Sequence, residues 1–388
     1  MTHPSSLSYG RQWVNDDDIA AVCEVLRGDW LTQGPLVERF EQALAEYLGV
    51  GHVVVFASGT AALHGAFYAA GLKHGDRVLT SPLTFAATAN AALYVGADPV
   101  FADIDYGTLC LDPLKADRKL AETPRVVKAI VPVSYAGYPF DITPFMIMAR
   151  ENGAILIEDA CHAIGGSREN FRGDVKKIGF DADMTAFSFH PVKNITTGEG
   201  GAVATNISRF ARRLQLFRSH GITRNHAEFK DVHAGPWHSE MRVLGYNYRL
   251  SEIHCALGLS QLKRLDSFVE RRREIAGLYR QLLSGVRGVY QPPAATGHAY
   301  HLFPIRVPAE DRLPLFNHLA ARDITPQVHY RPVHLQPYYR ERFGYKTGDF
   351  PEAESFYDGA LSLPMYPSLT DEDVEHVATG IREYFENI

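Results

Sequence analysis

The strongest constraint on the fold of this chain is an alternation of short apolar runs with helix-type patterns between residues 52 and 205. Runs such as His52–Phe56, Ile155–Ile157 and Met184–Phe189 are mostly apolar, which is typical of parallel strands covered by helices on both faces. The sequence therefore predicts an α/β fold, with a mostly parallel sheet sandwiched by helices and right-handed crossovers. The other predicted strands are Arg77–Thr80, Pro99–Asp103, Val126–Val131 and Gly201–Thr205.

Helical patterns flank this region on both sides. Asn15, followed by three aspartates, predicts a capped helix over residues 14–28. A long helical stretch over residues 250–283 carries an Arg271–Arg273 cluster, which we expect on a solvated helix face rather than in a nucleic-acid patch.

The pattern predicts two domains. The first spans residues 1–250 and combines a large binding domain with the N-terminal helical segment. The second, residues 251–388, contains the long linking helix and, beyond a Pro292–Pro293 linker, a small α+β domain. Strand patterns at His301–Val307 and Ile324–Tyr330 support this division.

Composition limits the function classes. The 388 residues carry a net charge of −6, which gives no general electrostatic case for nucleic acid as a partner. The four cysteines are scattered without metal-ligand spacing, which favours free thiols in a reducing compartment, and no metal site is predicted. No stretch has the character of a signal peptide or a membrane span, so a cytoplasmic location is expected.

Lys193 is the first candidate for chemistry. It follows the predicted strand Met184–Phe189 and Pro191, in a loop rich in threonine and glycine. A partly desolvated lysine at the rim of a sheet has a lowered pKa and can act as a nucleophile or a base. An ordinary surface-loop lysine is the alternative.

Asp159 is the second candidate, at the end of the strand that begins at Ile155. Ligands of open α/β sheets bind at the carboxyl ends of the strands, and a carboxylate buried there needs a cationic partner. A protonated pyridine nitrogen is such a partner in pyridoxal phosphate enzymes. A turn cap or an ion pair with an arginine are the alternatives.

Ser58-Gly59-Thr60 is the third candidate, at a predicted strand-to-helix junction. Free N–H groups at the start of a helix, with the Thr60 hydroxyl, can cradle a phosphate. The tripeptide alone is common in loops. Its weight comes from the combination of phosphate cradle, ring-nitrogen acid and lysine on one sheet, which together suit a pyridoxal phosphate site.

Five motifs in this order resemble the DegT/DnrJ/EryC1/StrS aminotransferase family, over essentially the whole chain. They are Ser58–Thr60, Thr84–Asn90, Glu158–Ala160, Ser188–Lys193 and Gly245–Arg249. The resemblance implies a fold type I, aspartate aminotransferase-like enzyme that uses pyridoxal 5'-phosphate to aminate keto groups on nucleotide-linked sugars. It also implies L-glutamate as amino donor and a homodimer with shared active sites.

Three further segments favour, within the family, a subgroup that aminates the C4 keto group of a UDP-linked sugar on the way to pseudaminic acid. These segments are Leu31–Gly34, Phe217–Arg224 and Thr325–Tyr339. The resemblance leaves the sugar's stereochemistry, the downstream glycan and the residue that binds the glutamate carboxylate open, with Arg224 and Arg249 as candidates for the last.

The resemblance also implies roles for individual residues. Lys193 forms the Schiff base and moves the proton, while Asp159 keeps the pyridine nitrogen protonated. Phe85 stacks on the ring and His162 lies near its 3-hydroxyl. The implied phosphate ligands are Gly59, Thr60, Ser188 and, from the other subunit, Asn247. The implied nucleotide-sugar contacts are Tyr9, Asp29, Trp30, Leu31, Thr32, Gln327, Val328, His329 and Tyr330.

Other functions within the same fold are weighed against this one. The nearest alternative is a sister sugar aminotransferase that acts on a different nucleotide or stereoisomer, such as a perosamine-type enzyme. A family dehydratase would carry histidine in place of Lys193, and a cysteine desulfurase would need a reactive loop cysteine. A sensor that binds pyridoxal phosphate without turnover is disfavoured by the intact pair of Asp159 and Lys193.

Overall fold

The computed structural model describes residues 6–123, 127–231 and 235–386. Its central feature is a seven-stranded sheet, whose strands we number in chain order. They are β1 His52–Phe56, β2 Arg77–Thr80, β3 Asp98–Phe101, β4 Val127–Val131, β5 Ile155–Asp159, β6 Met184–Ser188 and β7 Gly201–Thr205. The predicted start of β4 at Val126 lies outside the described residues.

The sheet has the strand order β1-β7-β6-β5-β4-β2-β3. All neighbouring pairs are parallel except those of β7, which runs antiparallel to both β1 and β6. The predicted mostly parallel α/β sheet is therefore confirmed. Because β1, β5 and β6 run in the same direction, their carboxyl ends meet at one edge, where Ser58, Asp159 and Ser188 lie.

Helices cover both faces of this sheet, and local sequence explains where several of them begin and end. Asn15 caps the first helix through a capping box with Asp18, as its sequence predicts. Gly49 and Gly71 end two helices in left-handed conformation (φ 72° and 83°). The helices are Asp16–Arg27, Pro35–Leu48, Gly59–Ala70, Ala86–Tyr94, Pro113–Glu122, Thr143–Asn152, Ser208–Arg218, Glu252–Leu262, Leu265–Leu282, Ala309–Ala320, Pro337–Phe343, Pro351–Gly359 and Asp371–Glu386.

Four two-stranded sheets complete the described structure. Two of them contain the pairs Phe303–Arg306 with Ala360–Leu363 and Leu7–Ser8 with Ile324–Thr325. The others pair Ser167–Glu169 with Val175–Lys177 and Ile222–Thr223 with Glu240–Met241. The second predicted strand of the small domain, Ile324–Tyr330, is thus only two residues long. The predicted division into two domains at residue 250 stays a prediction. Residues 1–5 of the first predicted domain and residues 387–388 of the second lie outside the described ranges.

The helical stretch predicted over residues 250–283 is two helices, Glu252–Leu262 and Leu265–Leu282. They are separated near Arg264, whose guanidinium donates to the Asp18 carboxylate of the first helix. The prediction of a solvated face for Arg271–Arg273 is wrong at Arg272, which is fully buried. No helix in the described part of the chain combines the length and the apolar character needed to cross a membrane.

Candidate active site

A cavity of about 420 Å³ opens at the carboxyl edge of the sheet. Turns that follow β1, β2, β5 and β6 supply most of its wall, and the N-terminal segment and residues 301–330 supply the rest. The predicted site residues that line it are Tyr9, Gly59, Thr60, Phe85, Asp159, His162, Ser188, Lys193, His329 and Tyr330.

Asp159 is the last residue of β5 and is almost fully buried, with 5% of its surface exposed. Thr88 Oγ1 donates to Asp159 Oδ2 at 2.6 Å, and the Cys161 N–H donates to Oδ1 at 3.1 Å. The hydroxyls of Thr88 and Thr84 are themselves 2.7 Å apart. Two donors therefore fix the orientation of a buried carboxylate that lines the cavity and has no cation bonded to it among the described residues.

Lys193 enters the cavity from the loop after β6. The backbone N–H of Lys193 donates to the His190 carbonyl at 2.9 Å, which fixes a tight turn around Pro191. Burial lowers the pKa of the Lys193 amine, although the nearby Cys161 and Asp159 act in the opposite direction. At a given pH, a larger fraction of this amine is therefore neutral, and able to act as a base, than for a solvated lysine.

Gly59 begins the helix that follows β1, and the Ser58 hydroxyl caps that helix by accepting from the Ala61 N–H at 3.1 Å. A Cβ placed on Gly59 would come within 2.8 Å of Ser188 Cβ and 3.0 Å of Ser188 Oγ. Only glycine lets the helix start pack this closely against Ser188 of β6. The first N–H groups of a helix lack partners within it and attract anions, so this junction at the cavity wall suits a phosphate.

His162 has a defined tautomer. Its Nδ1 accepts from the Ala136 N–H at 3.2 Å, so the proton lies on Nε2, which is 3.1 Å from the Tyr330 hydroxyl. Burial, with the nearby Lys193 and His329, holds its pKa well below the ordinary value, so the ring is neutral. The Tyr330 and Phe85 ring centroids are 5.8 Å apart, and Phe85, which lines the cavity, is 58% exposed.

Tyr9 and His329 form the opposite wall, with ring centroids 4.7 Å apart. The Tyr9 carbonyl accepts from the Met365 N–H at 3.0 Å, and His329 Nδ1 lies 2.9 Å from Ser362 Oγ. Burial lowers the pKa of His329 to about 3, so this ring is also neutral. The wall is therefore aromatic and uncharged. Such a wall suits a sugar ring or a nucleobase more than a second anion beside the phosphate.

The remaining predicted substrate residues lie away from the cavity of this chain. Asp29 and Trp30 line a separate surface groove with Glu252 and Arg264, and Leu31 and Thr32 are exposed beside it. Gln327 exchanges backbone hydrogen bonds with Ser362, and Val328 packs on the apolar core around Phe303. Their predicted roles stay predictions.

Asn247, Arg224 and Arg249 also lie outside the described lining of this cavity. Asn247 is exposed and forms an isolated bridge with Ser219. Its predicted contact comes from a second subunit, which a single chain does not test. Apart from Lys193, the described lining carries no lysine or arginine, so any anion in it depends on hydroxyls and backbone N–H groups.

Sequence reasoning missed several residues that the structure places at the cavity. Cys161 and Thr88 contact Asp159, and His301 approaches Lys193. The spacing of Cys161, two residues beyond Asp159, is a signal that could have found it. His301 has no such signal, because it reaches the site from a distant segment. Nowhere in the described ranges do three or more metal-ligating side chains cluster.

The chain is similar to known sugar-modifying proteins over nearly its whole length. The sequence model of the DegT/DnrJ/EryC1/StrS aminotransferase family matches residues 13–382. The spore coat polysaccharide biosynthesis protein SpsC of Bacillus subtilis is 39% identical, over 97% of this chain and 96% of that protein. The UDP-4-amino-4,6-dideoxy-N-acetyl-beta-L-altrosamine transaminase of Campylobacter jejuni is 37% identical over 98% of both.

A solved structure is also similar to this chain over nearly its whole length. Helicobacter pylori PseC, an aminotransferase in the biosynthesis of pseudaminic acid, superimposes with a TM-score of 0.89 at 34% identity. The match covers 99% of this chain and 100% of that one.

Proposed function

Because the chain belongs to the DegT/DnrJ/EryC1/StrS aminotransferase family, and so is a fold type I sugar aminotransferase, we propose a specific reaction for it. The enzyme transfers an amino group from L-glutamate to the C4 keto group of a UDP-linked 4-keto-6-deoxy-N-acetylhexosamine. The product is UDP-4-amino-4,6-dideoxy-N-acetyl-β-L-altrosamine, a precursor of pseudaminic acid. The similarity to the Campylobacter transaminase and to PseC supports this substrate.

The observation that carries the proposal is the meeting of Lys193 and Asp159 in one cavity with the helix start at Gly59 and Thr60. These groups fit pyridoxal 5'-phosphate, on which aminotransferases of this family generally depend. Gly59, Thr60 and Ser188 would hold its phosphate, Asp159 its ring nitrogen and Phe85 its ring face. When bound, the cofactor would supply an electron sink for the electron pair left on a deprotonated carbon and a carbonyl carbon that carries the amino group from donor to acceptor.

Lys193 and Asp159 have complementary tasks in this reaction. The buried Asp159 carboxylate, held by Thr88 and the Cys161 N–H, stabilises a proton on the ring nitrogen. The Lys193 amine, with its lowered pKa, would carry the proton between the substrate carbon and C4′ of the cofactor. His162, neutral with its proton on Nε2, can donate to the Tyr330 hydroxyl in the cavity wall.

The sugar nucleotide meets the aromatic wall of Tyr9, His329 and Tyr330. This wall excludes water from the reacting carbon, which strengthens each hydrogen bond made there. We propose that the UDP part lies near Gln327–Tyr330 of this chain and near Asp29–Thr32 of a second copy, with Asn247 of that copy completing the phosphate site of a homodimer with shared active sites.

A second candidate is a sister enzyme for a different 4-keto sugar nucleotide. The 39% identity to SpsC, whose name places it in polysaccharide synthesis, favours it. Both candidates use the same cavity chemistry and differ in the sugar that the wall accepts.

The test has two stages. Purified full-length protein with pyridoxal phosphate should show a visible absorbance band that L-glutamate bleaches. Lys193→Ala should lose the band, whereas Lys119→Ala, which removes a lysine at a surface ion pair, should keep it. A band that no amino acid bleaches would favour the sensor without turnover.

The second stage identifies the sugar. The glutamate-treated enzyme is offered UDP- and dTDP-linked 4-keto sugars, and the amino product is detected by mass spectrometry. Turnover of the UDP-linked N-acetyl sugar supports the proposal. Turnover of dTDP sugars alone would refute it in favour of the sister enzyme.

A further inference from the structure

His301 is a buried histidine in the cavity wall, 3% exposed, to which the proposed reaction gives no task. Its Nε2 lies 3.5 Å from Lys193 Nζ, at the outer limit of a hydrogen bond. Its ring also contacts the His162 ring, with centroids 4.4 Å apart. It is thus the imidazole that meets the lysine amine directly.

His162 and His301 differ in the hydrogen bonding of their Nδ1 atoms. His162 Nδ1 accepts from the Ala136 N–H, which fixes its proton on Nε2. His301 Nδ1 is buried and has no hydrogen-bond partner among the described residues. Nothing on that side fixes the His301 proton, so its Nε2 can accept from a Lys193 ammonium or donate to a neutral Lys193 amine.

The backbone that carries His301 is held firmly. The guanidinium Nη1 of the buried Arg272 donates to the carbonyls of Tyr300 and His301, at 3.1 and 3.3 Å. Asn194, next to Lys193, donates to the Ala299 carbonyl at 3.1 Å. Tyr300 adopts a left-handed conformation (φ 42°), which a non-glycine residue takes only where its surroundings impose it.

We propose that His301 is the positioning residue of the Lys193 amine, holding that amine toward the reacting carbon by a hydrogen bond through its Nε2 whenever the lysine is not bound to a cofactor. A free lysine side chain has several rotamers, and without a partner it would leave the position from which it moves the proton. The purpose of this contact rests on the proposed function, but its existence can be tested without turnover.

The charges around the pair determine the sign of the test. Lys193 faces Asp159 and Cys161, and His301 faces His162, His329 and Arg272. Burial, Lys193 and these groups keep the pKa of His301 well below its ordinary value, so the ring stays neutral where Lys193 titrates. A neutral acceptor stabilises the ammonium, and removing it lowers the pKa of the lysine.

The experiment measures that titration in full-length protein stripped of cofactor with hydroxylamine. The rate of Lys193 acetylation by trace acetic anhydride is followed against pH, by mass spectrometry of its peptide. His301→Phe should lower the midpoint by about one pH unit, a tenfold change in the neutral amine at a given pH. His301→Gln, which keeps an acceptor, should restore the wild-type midpoint.

His298→Phe is the matched control. His298 is equally buried in the same segment and accepts from the Tyr300 N–H at 2.9 Å, but it lies outside the described lining of the cavity. It should perturb the segment without moving the midpoint. An unchanged midpoint in His301→Phe, or the same shift in His301→Gln or His298→Phe, would overturn the proposal.

A second measurement does not depend on the folding of His301 variants. In protein with isotope-labelled histidine, Lys193→Met should shift the ring-nitrogen NMR signals of His301 and leave those of His298 in place. Unshifted His301 signals would also overturn the proposal. Because neither readout needs catalysis, loss of transamination alone would bear on the proposed function and not on this contact.

Discussion

Adding one methyl group at Gly59 tests the proposed phosphate cradle. A Cβ there would lie 2.8 Å from Ser188 Cβ and 3.0 Å from Ser188 Oγ, closer than such atoms can approach. Ser188 cannot retreat, because it is 8% exposed and pairs with Gly201 in the central sheet. Overpacking of this kind costs about 1–3 kcal/mol of stability in Gly59→Ala.

To relieve this clash the helix start and Ser188 must move apart, and both carry proposed phosphate ligands. We therefore expect Gly59→Ala to weaken pyridoxal phosphate binding at least tenfold, which corresponds to about 1.4 kcal/mol. Affinity is measured by titrating the cofactor into stripped protein and following its absorbance. Stability is measured from the urea midpoint of the stripped protein.

Gly277→Ala is the control for the chemical change itself. Gly277 lies on an exposed face of the helix Leu265–Leu282, and a Cβ there meets nothing within 4 Å. Alanine in a helix is more stable than glycine by about 0.5–1 kcal/mol, so this variant should gain stability and bind normally. Equal cofactor affinity in Gly59→Ala and wild type, or stability changes of the same sign in both variants, would refute the reasoning.

Three further predictions concern buried polar groups. Arg168→Met leaves the fully buried Glu158 without the guanidinium that donates to it at 2.8 and 2.6 Å. The free energy of unfolding in urea should fall by about 3–5 kcal/mol. A loss below about 1 kcal/mol, as for an exposed ion pair, would contradict this prediction. Thr88→Val removes the donor to Asp159 and should weaken pyridoxal phosphate binding about tenfold, whereas unchanged affinity would exclude that orienting role. Burial lowers the pKa of His64 from 6.5 to about 4, so the unfolded chain takes up the proton first as the pH falls. The contribution of the neutral ring to stability is therefore complete above pH 6.5 and is lost toward pH 4. His64→Phe should flatten the fall of the urea midpoint over that range, and an equally steep fall in the variant would show that His64 is not kept neutral.

The parts of the fold that could be predicted are those fixed by local patterns. Apolar runs located the strands of the central sheet, and Asn15 marked a helix start because capping depends on a few adjacent residues. The antiparallel direction of β7 had no such signal. Its hydrogen bonds to β1 and β6 are long-range contacts, and an apolar run looks the same in either direction.

The errors arose where tertiary contacts overrode local patterns. Arg272 lies in a charged helical cluster, yet its guanidinium is buried on the carbonyls of Tyr300, His301 and Met365, which come from distant segments. The single helix predicted over residues 250–283 is divided near Arg264, where an ion pair with Asp18 forms. Helical periodicity shows which face is apolar but not which distant groups meet a particular side chain.

The candidate site was predictable to the extent that its residues sit at strand ends. Asp159, Ser188 and Ser58–Thr60 could be placed because each follows a recognisable strand, and strand ends meet at one edge. His301 could not, because its approach to Lys193 depends on the turn at Tyr300. The predicted roles of Asn247 and Asp29–Thr32 stay predictions, because these residues lie outside the described lining of the cavity in this chain.

The strand Leu7–Ser8 has a consequence for how the protein is made. It pairs with Ile324–Thr325, and the adjoining Tyr9 is held by the Met365 N–H, so the beginning of the chain is anchored by partners near its end. On the ribosome, Lys193 and Asp159 emerge well before those partners. A nascent chain therefore gains its reactive groups before residues 324–365, and Tyr9 can join the finished pocket only after those residues have been made.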